Sequence, residues 1–313
     1  MIPEHIPEPA RTPASVAIRG PELDQPTHLP RAAAYMVTAA LLFAVMSVMV
    51  KILSHSLPNA MVVFLRSGLA LLLLLPMMLR RGNQALRTEH LGEHIVRGTV
   101  GMAAMYCFFF VIAKLGLAEG LLLNYSLPLF IPFVERAWLG EPVPRGIWKP
   151  LSIGLLGLIF ILKPGLGLFQ PAALIGVMGA IFAATAQVGV RSLTRTESVT
   201  KIVFYFSIIS TLVGLGPALL AWQTPAVSSI PVLIALVTAG TLAQLLMTRA
   251  YQQAPAAQVG PFIYGSVAFA ALFDWLIFER HPDGLTALGA GLIVVAGILA
   301  LRSPRRNRVE AST

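Results

Sequence analysis

Polar residues divide this chain into ten apolar runs, and the basic residues between the runs are sorted by side. Of the 23 Lys and Arg residues, 18 fall in segments on the same side as the two ends, among them Arg80, Arg87, Arg97, Arg136, Arg191 and Arg195. The other side holds only Lys51, Lys114, Lys163 and Arg280, while Arg66 lies inside a run. Cytoplasmic loops collect Lys and Arg during membrane insertion. The sorting therefore predicts a multi-pass protein of a cell (inner) membrane with both termini in the cytoplasm. Hydrocarbon offers the backbone no hydrogen-bonding partner, so each run is predicted to be a helix.

Composition excludes most other classes. The chain is 56% hydrophobic and 12% charged over 313 residues, too little charge for a soluble surface of this size. Its net charge of +9 is spread over short loops and the tail, where it meets anionic lipid rather than nucleic acid. Cys107, the single cysteine, excludes an intrachain disulfide. The six histidines fall in tails and loops with no metal-ligand spacing, so no metal and no cofactor are expected. Seven prolines in the first 30 residues predict a disordered arm rather than a signal peptide.

The predicted spans are 32–52, 60–79, 95–113, 117–133, 151–162, 172–190, 201–222, 230–247, 256–278 and 285–301. The fifth is short, and Lys149 and Lys163 at its ends are placed to snorkel. The chain also repeats: Glu141-Pro-Val-Pro144 is echoed by Glu279-Arg-His-Pro282, each after a Trp-Leu pair and before a Gly-rich run. Five spans per copy is an odd number, so the second copy enters the bilayer upside down. The expected architecture is all-α, ten transmembrane helices as two inverted five-helix repeats. Residues 1–31 form the arm, 32–163 and 172–301 the repeats, and 302–313 a basic tail. Such a plan places a binding site between the halves near the midplane.

Arg66 is the sharpest outlier, about 10 Å inside the second span. A charge at a helix centre costs about 2.5–3.5 kcal/mol on insertion scales. Arg66 therefore either faces a central cavity and attracts a carboxylate or phosphate, or snorkels and braces backbone carbonyls. Tyr106, Asn124, Tyr125, Ser126, Gln244, Tyr264 and Ser266 lie at middle depth and are candidates to line such a cavity, or to serve as hydrogen-bonding glue between helices. Asp274 is a candidate for proton coupling, and the adjacent Glu135 and Arg136 read as a solvated edge. Pro128 and Pro132 in the fourth span, and Pro255, Gly260 and Pro261 at the start of the ninth, are candidate hinges in equivalent places.

These stretches resemble the drug/metabolite transporter superfamily, in particular bacterial permeases built from two EamA domains. The likeness rests on Leu42 to Lys51 with Pro58 and Phe64-Leu65-Arg66, and on Leu117 to Glu141 with Pro128 and Leu139-Gly140-Glu141. It rests also on Gly240-Thr-Leu-Ala-Gln244, Arg249-Ala-Tyr251, Ala254-Pro-Ala256 and Gly260-Pro-Phe-Ile-Tyr264. Phe278 before Glu279 departs from the Gly140-Glu141 of the first copy. The resemblance implies a secondary carrier of a small metabolite, an amino acid or related compound moved outwards, or a vitamin or cofactor-like compound taken up. The carrier is expected as a monomer or homodimer, with Arg66 and Tyr264 as leading contacts. A membrane-embedded enzyme or a channel is the distant alternative. No H-E-x-x-H, G-x-S-x-G or nucleotide-binding loop is present in the sequence.

Overall fold

A computed structural model describes residues 28–80, 82, 86–279 and 281–302, which are helical with short connections. The proline-rich arm through residue 27 and the tail beyond 302 lie outside the described residues. The first half holds α1 (Leu29–Leu53), α2 (Asn59–Arg80) and α3 (Leu91–Leu115). Its fourth span is a broken pair, α4 (Leu117–Asn124) and α5 (Leu127–Leu139), and its fifth is α6 (Trp148–Leu162). The second half holds α7 (Ala172–Leu193), α8 (Val199–Leu220) and α9 (Ile230–Gln253). Its fourth span runs from α10 (Ala256–Val259) through a 3-10 segment (Gly260–Tyr264) into α11 (Gly265–Phe278), and α12 (Gly284–Arg302) ends the bundle. Nine of these described segments are long and apolar enough to cross a bilayer, and the broken pair makes the tenth span.

The breaks follow from missing backbone donors. Pro128 cannot donate to the Asn124 carbonyl, so α4 ends there and the chain turns through Tyr125 and Ser126. Pro261 likewise cannot donate to Ala257, and the ninth span tightens into a 3-10 segment after one helical turn. Gly140 ends α5 in the left-handed conformation, φ 68°, which glycine adopts without strain.

Several predicted spans prove too short. The first begins at Leu29, because Pro30 fits the first turn, where an amide would have no partner. The fifth begins at Trp148, and the preceding 3-10 turn Arg145–Ile147 lengthens the helical stretch to 18 residues. The fourth continues to Leu139, which brings Glu135 and Arg136 inside a helix. Glu135 is buried at 3% exposure, so the solvated-edge reading fails for it. The third begins at Leu91 and contains His94 and Arg97, both buried. This corrects two expectations, that every histidine lies in a tail or loop and that Arg97 belongs to the topology-setting loop charges.

Helix pairing shows the internal two-fold relation. Helix α1 packs on α9 as α3 packs on α7, while α2 meets α8 and α6 meets α12, each its own counterpart. With five spans per half, the two halves run in opposite senses. Apolar lipid supplies no hydrophobic drive between helices, so close approach must come from small residues. Ala32, Ala39, Ala40 and Ala44 of α1 are buried, as are Ala243 and Ala250 of α9. At the α6–α12 crossing a Cβ on Gly157 would sit 2.7 Å from the Gly289 carbonyl oxygen, and one on Gly289 would sit 2.5 Å from that of Gly157. Large apolar side chains such as Leu72, Leu174 and Leu220 are exposed and face lipid.

Candidate functional site

Ten spans leave both chain ends on one face, called here the terminal face. The largest buried apolar cluster, from α1, α5, α7, α9 and α10, lies towards it and includes Met36, Ile131, Leu193 and Tyr251. Polar ties within the second half and between the halves reinforce this seal. Within the second half, Arg191 Nη1 of α7 donates to the Tyr251 carbonyl at 2.8 Å, capping the end of α9, whose last carbonyls lack donors. Glu141, after α5, pairs with Arg191 at 3.5 Å and with Arg195. Glu135 of α5 accepts the backbone amides of Ala256 and Ala257 at 2.6 and 2.9 Å. Those amides open α10, where unpaired N–H groups attract a carboxylate. On the distal face the ties are more exposed: Lys51 to Asp274 at 2.6 Å, and Lys163 to Asp283.

A polar crevice sits between these faces, where the halves meet. Arg66, Ser67 and Ala70 of α2 form one wall, Phe206 and Ser207 of α8 a second, and Gly240, Thr241 and Gln244 of α9 a third. Arg97 of α3 closes it from the terminal side, 3.6 Å over the Phe206 ring and with Nη2 at 3.5 Å from Gln244 Oε1. Arg66 lies about 10 Å from the distal end of its helix, and Arg97 about 9 Å from the terminal end of its own. Two long cationic side chains thus enter the same space from opposite faces. Gly240 makes room for this, since a Cβ there would meet Met46 Sδ at 2.9 Å and Arg66 Cδ at 3.9 Å. Among the described residues neither arginine forms an ion pair.

Of the residues proposed from sequence, the structure brings Arg66 and Gln244 to this crevice and places the others elsewhere. Tyr125 and Ser266 meet each other across the halves, hydroxyl to hydroxyl at 2.9 Å. Tyr264 is fully buried against Gly154 of α6, and its ring fills a helix crossing. Tyr106 is 40% exposed on α3. Ser126 donates to the Leu123 carbonyl at 2.6 Å, which closes the turn at the break, and Asn124 ends α4 beside it. Ser126 also borders a larger cavity of ≈ 620 Å³ with Leu122, Phe130, Ile159 and Leu174. That cavity holds no charged side chain and offers only Ser126 and Gln170 as polar side chains. The crevice, by contrast, has Arg66, Ser67, Ser207, Thr241 and Gln244 in its walls.

The hinge candidates assemble more closely. Pro128 and Pro132 lie in α5, Pro255 precedes α10, and Pro261 lies in the 3-10 segment. A Cβ on Gly260 would meet Pro128 Cβ at 3.3 Å, so the two interruptions touch. Asp274 is salt-bridged to Lys51 on the distal side of α11, away from the crevice. The residue that sequence reasoning missed is Arg97. The signal was present, because it lies two residues inside the predicted span 95–113, but its nearness to the loop grouped it with the topology-setting charges.

No group of three or more metal-ligating side chains exists among the described residues. A ten-span inverted repeat that encloses a polar crevice at its seam is the build of a secondary transporter. The chain belongs to the EamA-like transporter family, whose model matches residues 30–163 and 170–302. It is 33% identical to the "Pseudopaline exporter CntI" of Pseudomonas aeruginosa (strain UCBPP-PA14), over 86% of this chain and 95% of that one. It is 30% identical to a "Riboflavin transporter" of Vibrio cholerae over 86% and 92%, and 27% identical to an "S-adenosylmethionine uptake transporter" of Rickettsia bellii over 83% and 89%. A solved structure of 19% identity aligns over 88% of this chain and 98% of its own with a TM-score of 0.76, which shows the fold. The protein is a secondary transporter of a small metabolite in a bacterial inner membrane, and not an enzyme.

Proposed function

We propose that this carrier exports an amino acid or a related metabolite by alternating access, with both termini in the cytoplasm and each EamA repeat acting as one rigid half. The observation that carries the reading is the crevice of Arg66, Arg97, Thr241 and Gln244 at the seam, capped on the terminal face by the ties of Glu135, Glu141 and Arg191. Breaking those ties would admit substrate from the cytoplasm, and breaking Lys51–Asp274 on the distal face would release it. The abutting interruptions at Pro128 and Gly260 supply the bend, since a helix without its full ladder of hydrogen bonds flexes there. The basic sorting of the loops supports cytoplasmic termini, and relatives named as exporters support the outward direction. Exchange flux in proteoliposomes loaded with a bacterial metabolite pool tests this. Saturable counterflow of an amino acid or its derivative is expected, together with a raised intracellular level of that compound in cells lacking the protein. Flux of no pool member, or depletion rather than accumulation in those cells, overturns the reading.

A further inference from the structure

The crevice brings together two guanidinium groups, and among the described residues no carboxylate pairs with either. Arg97 is 4% exposed, and its Nε and Nη1 are buried without a partner. Ser67 Oγ and Thr241 Oγ1, on two other walls of the same crevice, are also buried and unpartnered. Among the described residues, Arg66 donates to the Met46 sulfur, at 3.9 Å. A guanidinium does not give up its proton, and repulsion between like charges grows as the surroundings become less polar. An unpaired buried charge is strongly unfavourable, and here buried Arg97 lies beside a second, partly buried cation, Arg66. Such an arrangement persists when an anion occupies it for part of the cycle.

The donors specify that anion. Arg97 leaves one unpartnered donor on each side of its Nη2, Nε on one edge of the guanidinium and Nη1 on the other. Each of those edges is a fork that receives a carboxylate through two parallel hydrogen bonds once Nη2 turns from Gln244. Phe206 covers the face of the same guanidinium, so a ligand must approach edge-on. Ser67 and Thr241 offer hydroxyls for the remaining lone pairs, and Gln244 Oε1 is already turned to Arg97. One carboxylate would leave one positive charge uncompensated, whereas two anionic groups balance the pair. The free space is small, ≈ 20 Å³, room for about one water-sized group. An anionic group therefore enters only as the halves part and the walls of the crevice separate.

We propose that Arg66 and Arg97 together form an anion seat that makes this carrier selective for dianionic, carboxylate-bearing metabolites. The proposal rests on the reading of the seam crevice as the transport site. It is tested on the full-length protein in detergent by thermal stabilisation with glutarate, its monoamide, its diamide and inorganic phosphate. Glutarate should stabilise most, the monoamide less and the diamide not at all. Arg97→Gln and Arg66→Gln should each weaken glutarate by about tenfold or more, and Arg97→Lys should restore part of the loss. Tyr106→Phe, away from the crevice, should bind as the parent does. Without ligand, each Gln variant should melt no lower than the parent, because it removes an uncompensated charge rather than a structural tie. The seat is overturned if the diamide stabilises as well as glutarate, if no probe stabilises the parent, or if the Gln variants bind glutarate normally. A clear drop in their ligand-free melting temperature also overturns it, in favour of a bracing role. Phosphate stabilising better than glutarate overturns the carboxylate preference. Flux insensitive to glutarate with counterflow intact counts against the seat alone. Glutarate binding lost in both Gln variants, with no flux of any pool member, supports the seat and counts against the carrier reading.

Discussion

The Glu135 carboxylate accepts the backbone amide of Ala256 at 2.6 Å, and so ties the fourth span of one half to the start of the ninth span of the other. The second carboxylate oxygen takes the Ala257 amide at 2.9 Å, which leaves no free oxygen for solvent-like chemistry. Truncating this side chain should leave two buried amides unpaired. Glu135→Ala is expected to lose about 1.5–3 kcal/mol and Glu135→Gln less, since the amide oxygen still accepts one bond. Thermal unfolding in detergent measures both. No loss in Glu135→Gln beside a clear loss in Glu135→Ala would show that the side chain fills space rather than capping the helix.

The seals on the two faces should respond unequally. Lys51 and Asp274 are each nearly two-fifths exposed, whereas the Glu141 side chain is 8% exposed. Exposed pairs contribute about 0–1 kcal/mol, and hydrogen bonds to charged partners about 1.5–3. Asp274→Asn should therefore barely change the melting temperature, and Glu141→Gln should lower it clearly. A larger fall for Asp274→Asn would place the stronger seal on the distal face.

The glycine crossing of α6 and α12 leaves no room for a methyl group. At both Gly157 and Gly289 the obstacle is a backbone carbonyl oxygen, which cannot rotate away. Gly157→Ala and Gly289→Ala should each lower stability by about 1–3 kcal/mol through helix displacement. Gly291→Ala, where a Cβ meets nothing within 4 Å, serves as the control and should be neutral or slightly stabilising. Parallel melts of the three variants decide it.

Glu197, in the connection between α7 and α8, sets an acid-sensitive contact. Its burial works to raise the carboxyl pKa, but hydrogen bonds from Lys201 and Thr88, together with the Lys201 charge, outweigh that and hold it below the ordinary 4.5. A carboxyl depressed in the folded state adds stability above its unfolded pKa and loses it as pH falls through the folded one. Stability should therefore decline below about pH 4.5, and Glu197→Gln should flatten that limb while leaving less stability at neutral pH. Melting temperatures between neutral pH and the onset of acid unfolding test the sign. An unchanged acid limb in the variant would exclude Glu197 as its source.

Topology is open to direct labelling. Ser56 follows α1 and Thr196 follows α7, and both are exposed. In a Cys107→Ala background, Ser56→Cys should react with a membrane-impermeant maleimide in intact cells. Thr196→Cys should react only after permeabilisation. The reverse pattern would turn the protein over in the membrane.

Sequence by itself determined the ten spans, their inverted arrangement and the places where they break. These depend on apolar run length, on an odd count per repeat, and on prolines that lack a donor, all properties a residue carries wherever the helix points. Tertiary structure decided which polar side chains meet. The rotation of each helix about its axis sends Tyr106 outward and Arg97 inward from the same α3. Small residues such as Gly240 set how closely neighbouring helices approach, and thereby which side chains share the crevice. Arg66 is conspicuous in sequence because it stands alone in a run. Arg97 resembles any loop arginine until α3 is extended towards the terminal face and packed against Phe206, because depth in a bilayer is set by where a helix begins and what it leans on.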